Sequence, residues 1–97
     1  MKAQERLAVL SAEIAEARTS LRIVEEQLAF VEEVAEDARI RALVSETPLA
    51  DREYREARED LERMRRSHAE AVERIEELRA EQDRLLERFL DEPAGDR

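Results

Sequence analysis

The chain has 97 residues, of which 44% are charged and one is glycine, and it contains neither cysteine nor tryptophan. This length allows at most one domain, and the single glycine excludes Gly-rich phosphate loops and hairpin-rich β folds. The formal net charge of −9 argues against nucleic acids and anionic membranes as partners, because both attract basic surfaces.

Strong helix formers dominate the chain, and the segment SETP at residues 45–48 is its main internal interruption. Thr47 is a suitable N-cap, and Pro48 suits the first helical position, where an N–H donor is not needed. We expect one helical hairpin over residues 1–92, with helices at about 3–45 and 48–91 and a turn at about 45–48. Residues 93–97, which contain proline and glycine, are expected to form a disordered tail.

Both predicted helices carry a heptad repeat whose first and fourth positions, a and d, are mostly apolar. We call these positions the seam; in helix 1 they run from Ala3 to Ala42 and in helix 2 from Ala50 to Phe89. Because a short turn makes consecutive helices antiparallel neighbours, the pattern predicts an all-α antiparallel coiled-coil hairpin. Aligning a with d gives layers such as Leu7–Leu85, Ile14–Leu78 and Leu28–Met64, with flanking pairs Glu25–Arg65, Glu32–Arg58 and Arg39–Asp51.

Helix 1 carries more apolar residues than a two-helix seam needs. We call Val9, Ile23, Phe30 and Val34, at positions c and g, the stripe, and Ile40, Leu43, Val44 and Leu49, around the turn, the tip cluster. A continuous apolar surface usually marks an interface, although long Arg and Glu stems are an alternative cover. We therefore expect an interaction or assembly module that binds itself or a partner helix, most simply as a homodimer that forms a four-helix bundle.

Two polar residues, His68 and Gln82, fall on the seam of helix 2. Polar seam residues commonly set the register or the oligomeric state, and we assign both residues that role. The alternative for His68 is a pH switch, in which a buried neutral imidazole would become charged on acidification. Its neighbours one turn away, Met64 and Val72, are not metal ligands, so no metal site is expected.

Neighbouring carboxylates recur down helix 1, as in Glu25–Glu26 and Glu32–Glu33, but on a face expected to be solvated. Two helices do not enclose the concave pocket that small-molecule catalysis needs. We therefore expect no enzymatic activity and no cofactor. The N-terminus lacks the apolar run of a signal peptide, and no stretch is apolar enough to cross a membrane, so a cytoplasmic location is expected.

Residues 49–59, LADREYREARE, and residues 74–78, RIEEL, resemble the tip and second helix of the coiled-coil hairpin of Gre-type transcript cleavage factors. In that family the hairpin enters the secondary channel of RNA polymerase, where an Asp and a Glu at the tip help to hold the catalytic magnesium. Pro48 stands here at the position of that Asp, and Asp51 is the counterpart of the Glu. The resemblance implies an alternative function, a transcription regulator that inserts its turn into the polymerase channel.

Overall fold

The computed structural model describes residues 2–91, which form two helices, α1 (Lys2–Ser45) and α2 (Pro48–Asp91). The helices pack against each other along their lengths and form a rod of 76 × 16 × 14 Å. This confirms the predicted all-α helical hairpin. The helix bounds differ from the expected ones only at the first residue of α1. The predicted disordered tail, 93–97, lies outside the described residues.

The turn is closed by backbone hydrogen bonds and by one side-chain cap. Glu46 has a positive φ of 51°, a left-handed conformation that commonly ends a helix, and its N–H donates to the Ala42 carbonyl at 3.2 Å. The Thr47 hydroxyl oxygen accepts the Ala50 N–H at 3.1 Å, as the N-cap prediction requires. Because only Glu46 and Thr47 separate the helices, α2 must return antiparallel to α1.

The core of the hairpin follows the predicted seam. Every residue that is buried within 2–91 occupies a seam position: Leu10, Ile14, Ala35, Ala38, Ala50, Ala57, Ile75, Leu78 and Leu85. One cluster, near the open end of the hairpin, joins Leu10 and Ile14 to Leu78 and Leu85. A second cluster, near the turn, joins Ala35, Ala38 and Ala57, with Tyr54 and Leu61 packed against it.

One predicted seam residue, Phe89, departs from this pattern and is 38% exposed. It lies near the open end of the hairpin, and the predicted register sets it opposite Ala3, whose methyl group is too small to cover a phenyl ring. The other predicted seam residues are buried or half-buried. The seam is therefore closed along the hairpin and loosens at its open end, since Ile75, which faces the equally small Ala17 in the middle of the rod, is buried.

The predicted charge pairs at position e are not formed within residues 2–91. Glu25 instead contacts His68, Arg39 pairs with Glu36 on its own helix, and Arg58 lies 5.2 Å over the Tyr54 ring. Side chains at position e thus find partners nearer along their own helix or on the seam. The interhelical Arg–Glu pairs lie on the opposite flank, at position g: Arg6–Glu81, Glu13–Arg74 and Arg41–Glu53.

Candidate interaction surface

The stripe lies on the side of α1 that α2 does not cover. Val9 and Ile23 are each about half exposed, Phe30 is 65% exposed, and Val34 is 39% exposed. Phe30 and Val34 are one helical turn apart and therefore neighbours on the surface, with Ile23 two turns before Phe30. These side chains stay exposed because α2 packs against the a and d positions of α1. A single neighbouring helix covers one side of α1, and the stripe lies outside that side.

The tip cluster surrounds the turn. Ile40 is 47% exposed, Leu43 65%, Val44 79% and Leu49 58%. Leu43 and Val44 lie in the last turn of α1, and Leu49 follows Pro48 in the first turn of α2, so the turn brings their backbones together. All eight residues predicted to bind a partner are thus exposed apolar side chains on α1 or at the turn, and their role in binding stays a prediction.

A third apolar surface, at the open end of the hairpin, was not included in the predicted site. Leu86 is 40% exposed and Leu90 77% exposed, next to the exposed ring of Phe89. The sequence signal for this surface is present, because Leu86 and Leu90 lie off the seam one turn apart. The heptad places Phe89 on the seam, so the sequence pattern does not predict its part in this surface.

The two polar seam residues are half-buried. The His68 side chain is 32% exposed, and its Nε2 lies 3.5 Å from Oε2 of Glu25. The buried, unpaired imidazole on which the pH-switch alternative depends is therefore not present: His68 has access to water and a carboxylate beside it. Gln82 is enclosed to a similar degree, and no buried side-chain polar atom in residues 2–91 lacks a hydrogen-bond partner. The register-setting role of both residues stays a prediction.

Near the open end, four charged side chains connect the two helices. Arg6 donates two hydrogen bonds to the Glu81 carboxylate, at 2.9 and 3.0 Å, and lies 3.4 Å from Glu13. Arg74 donates to the other oxygen of Glu13 at 3.1 Å. The hydrogen bonds from Arg6 hold the pKa of the Glu81 carboxyl below its ordinary value, and the same bonds raise the pKa of the Arg6 guanidinium.

Beside this network, α1 and α2 border a shallow groove. Glu13 and Arg74 lie at one side of the groove with Glu16, and the small residues Ala17, Ser20 and Ala71 line the rest. The groove exists because small side chains from both helices meet here and leave the interhelical space unfilled. Its volume is about 330 Å³, which is enough to take a protein side chain from another helix.

The part of the chain that the structure describes contains neither a metal-ligand cluster nor a helix that could span a membrane. Residues 2–91 hold no group of three or more carboxylate, imidazole or thiol side chains arranged to bind a metal ion. Neither α1 nor α2 combines the length and apolar character that spanning a bilayer needs, over those same residues. Asp51, the acid that the Gre resemblance singles out, is exposed on the first turn of α2.

These features define a class of protein, the antiparallel helical hairpin with an exposed apolar helix face. Comparison with known protein families, with curated proteins and with solved structures finds no match to this chain. Any statement of function therefore depends on the surfaces described above.

Proposed function

We propose that this protein is a non-enzymatic assembly module, which binds a second copy of itself through the exposed face of α1. The observation that carries the proposal is the stripe. Four large apolar side chains, three of them at one heptad position, stay exposed along α1 after α2 has covered the seam. Water-exposed apolar surface of this extent favours burial against another helix.

A second copy fits this surface because α1 itself supplies the matching element. α1 has 44 residues and is about 66 Å long at 1.5 Å per residue, so two copies could pair along most of the rod. Two-fold dimers need only one self-complementary surface, and they are the commonest soluble oligomers. The four helices of such a dimer correspond to the predicted four-helix bundle.

The expected affinity is moderate. Burial of apolar surface contributes about 25 cal/mol per Å², so a few valine, isoleucine and phenylalanine side chains supply several kcal/mol before association costs are subtracted. The net charge of −9 on each copy opposes association, and salt weakens that repulsion. We expect a dissociation constant in the micromolar range at physiological ionic strength.

The test replaces Ile23 and Phe30 by glutamate. I23E/F30E should weaken association at least about 100-fold, because charges would have to be buried where apolar side chains were. Helicity by circular dichroism should not change, since neither residue touches the seam. The matched control is A15E/A29E, which adds the same two charges to α1 at exposed positions away from the stripe.

The mass is measured by sedimentation equilibrium or light scattering at tens of micromolar protein in about 150 mM salt. We expect a dimer for the wild type and for A15E/A29E, and a monomer for I23E/F30E. A wild-type mass of one chain would overturn self-association as the function. A dimer that persists in I23E/F30E would show that another surface, such as the open end at Leu86 and Leu90, carries the association.

A further inference from the structure

From Val9 to Val44, the residue types at position c of α1 follow the same order in both chain directions. After Lys2, its six remaining members are apolar, acidic, apolar, apolar, acidic and apolar: Val9, Glu16, Ile23, Phe30, Asp37 and Val44. All six are exposed. A pattern that is symmetric about its midpoint is what a two-fold antiparallel interface requires, because there residue i contacts residue j and residue j contacts residue i.

We propose that two copies pair antiparallel along this face of α1, with Gln27 of each copy beside the two-fold axis. The inference rests on the proposed self-association and adds its orientation and register. Ile23 then lies opposite Phe30 of the second copy, and Phe30 opposite its Ile23. Val9 lies opposite Val44 of the second copy, which gives four apolar layers over about 53 Å of helix.

The pattern selects this register over its neighbours. A shift of one heptad in one direction would set Phe30 opposite Glu16, and a shift in the other direction would set Ile23 opposite Asp37. Either shift buries a carboxylate against an apolar side chain, which is costly without a partner for the charge. Only the symmetric register matches all four apolar members of position c with one another.

The residues that flank position c agree with the same register. At position g, Glu13 lies opposite Arg41 of the second copy, so opposite charges meet twice across the axis. The Arg41 side chain is 55% exposed, and its Nε lies 4.0 Å from the Glu53 carboxylate of its own chain, the longest of the interhelical Arg–Glu pairs. At position f, Ile40 lies opposite Ala12, and this pairing accounts for an exposed isoleucine that is not part of the stripe.

The groove between α1 and α2 can take a side chain of the second copy in this register. The register sets Val34 of the second copy opposite Ser20, and Ser20 lines the groove together with Ala17 and Ala71. A valine side chain would therefore enter a space that small residues leave open. Packing of a large side chain against small ones is how interdigitating helix interfaces reach native density.

Like charges meet three times in this arrangement, because the Glu16–Asp37 contact occurs once on each side of the two-fold axis. Glu16 lies opposite Asp37 of the second copy, and Glu26 lies near its own copy at the axis. All three side chains are exposed in the single chain, and pairing acid with acid leaves no apolar side chain against a carboxylate, while salt screens the repulsion that remains. Association should therefore tighten when the salt concentration rises. A parallel pairing would set these acids opposite their own copies and would also separate Glu13 from Arg41.

The test uses the absence of cysteine in the wild-type chain. Gln27→Cys places one thiol per copy beside the axis, where a short bismaleimide should join two chains covalently. Ser20→Cys is the matched control: it is also exposed at position g, but in this register its two copies lie about 21 Å apart along the axis. We expect at least tenfold faster cross-linking of Gln27→Cys per dimer, with the dimer fraction of each variant measured by light scattering.

Each other outcome overturns the inference in a recognisable way. Equal cross-linking of both variants would indicate a parallel dimer, and faster cross-linking of Ser20→Cys would indicate another register. A dimer in which neither variant cross-links would remove the α1 pairing and leave self-association through another surface. If both variants and the wild type are monomers, the proposed function fails together with the register.

Discussion

At the scale of single residues, one hydroxyl group caps the first turn of α2. Thr47 accepts the Ala50 N–H at 3.1 Å and so satisfies one of the donors that the first turn of α2 leaves unpaired. We expect Thr47→Ala to lower the free energy of unfolding by about 1 kcal/mol, measured by urea denaturation. Thr47→Ser keeps the hydroxyl and should stay within a few tenths of a kcal/mol of the wild type. An equal loss for both variants would contradict the cap.

Sequence patterns predict some residue-scale features and not others. The cap at Thr47 follows from the residue type and from Pro48 after it, because few residues suit an N-cap that precedes proline. The left-handed conformation of Glu46 carries no such signal, since glutamate gives no hint of a positive φ. The contact of His68 with Glu25 likewise cannot be predicted from the sequence, because it depends on side-chain rotamers rather than on heptad position.

At the scale of the two helices, the interhelical charges lie on one flank of the seam. Arg6 and Glu13 on α1 alternate in sign, and so do Glu81 and Arg74 on α2. This complementarity is visible at position g of the sequence, but the e positions carry similar charges and predict pairs that do not form. The heptad repeat therefore predicts which faces of the two helices meet. It does not predict which flank carries the ion pairs, because each long charged side chain has several partners within reach.

The Arg6–Glu81 contact makes a pH-dependent contribution to stability. Since Arg6 holds the pKa of Glu81 below its ordinary value of 4.5, the folded state binds this proton less readily than the unfolded state does. The stabilisation is therefore fully present above about pH 4.5 and is lost as the pH falls through the lowered folded pKa. We expect Glu81→Gln to melt at a lower temperature than the wild type at pH 7, and the difference in melting temperature to shrink as the pH falls below 4.5 and through the lowered pKa of Glu81.

The control for this pH dependence is Glu76→Gln, which removes the same charge from an exposed position away from the α1–α2 contact. Its melting temperature should differ little from that of the wild type across the pH range. A gap between Glu81→Gln and the wild type that stays constant from pH 7 to pH 3 would show that the glutamine acts through packing rather than through the lost ion pair.

At the scale of the whole molecule, the hairpin has a thin core. Few residues are fully enclosed, and near the turn they are alanines, which bury little apolar area each. The sequence predicts this fold well because one repeat specifies both helices and the turn leaves one way to pair them. The partner of the exposed α1 face cannot be predicted in the same way. An exposed apolar surface indicates an interface but does not identify the molecule that binds there.

Self-association would make the stability of the whole molecule depend on concentration. If two hairpins bury their α1 faces together, unfolding separates the chains, and mass action raises the melting temperature as protein is added. With typical unfolding entropies for two chains of 97 residues, a tenfold rise in concentration should raise the melting temperature by about 4 °C. Calorimetry or circular dichroism from about 5 to 500 µM measures this shift.

The variant I23E/F30E separates this concentration dependence from the stability of the hairpin itself. Its melting temperature should be the same at every concentration, because the hairpin then unfolds as a single chain. The control A15E/A29E should keep the slope of the wild type, since its added charges lie off the stripe. A wild-type melting temperature that does not change over the same range would mean that the α1 face contributes nothing to stability through a second copy.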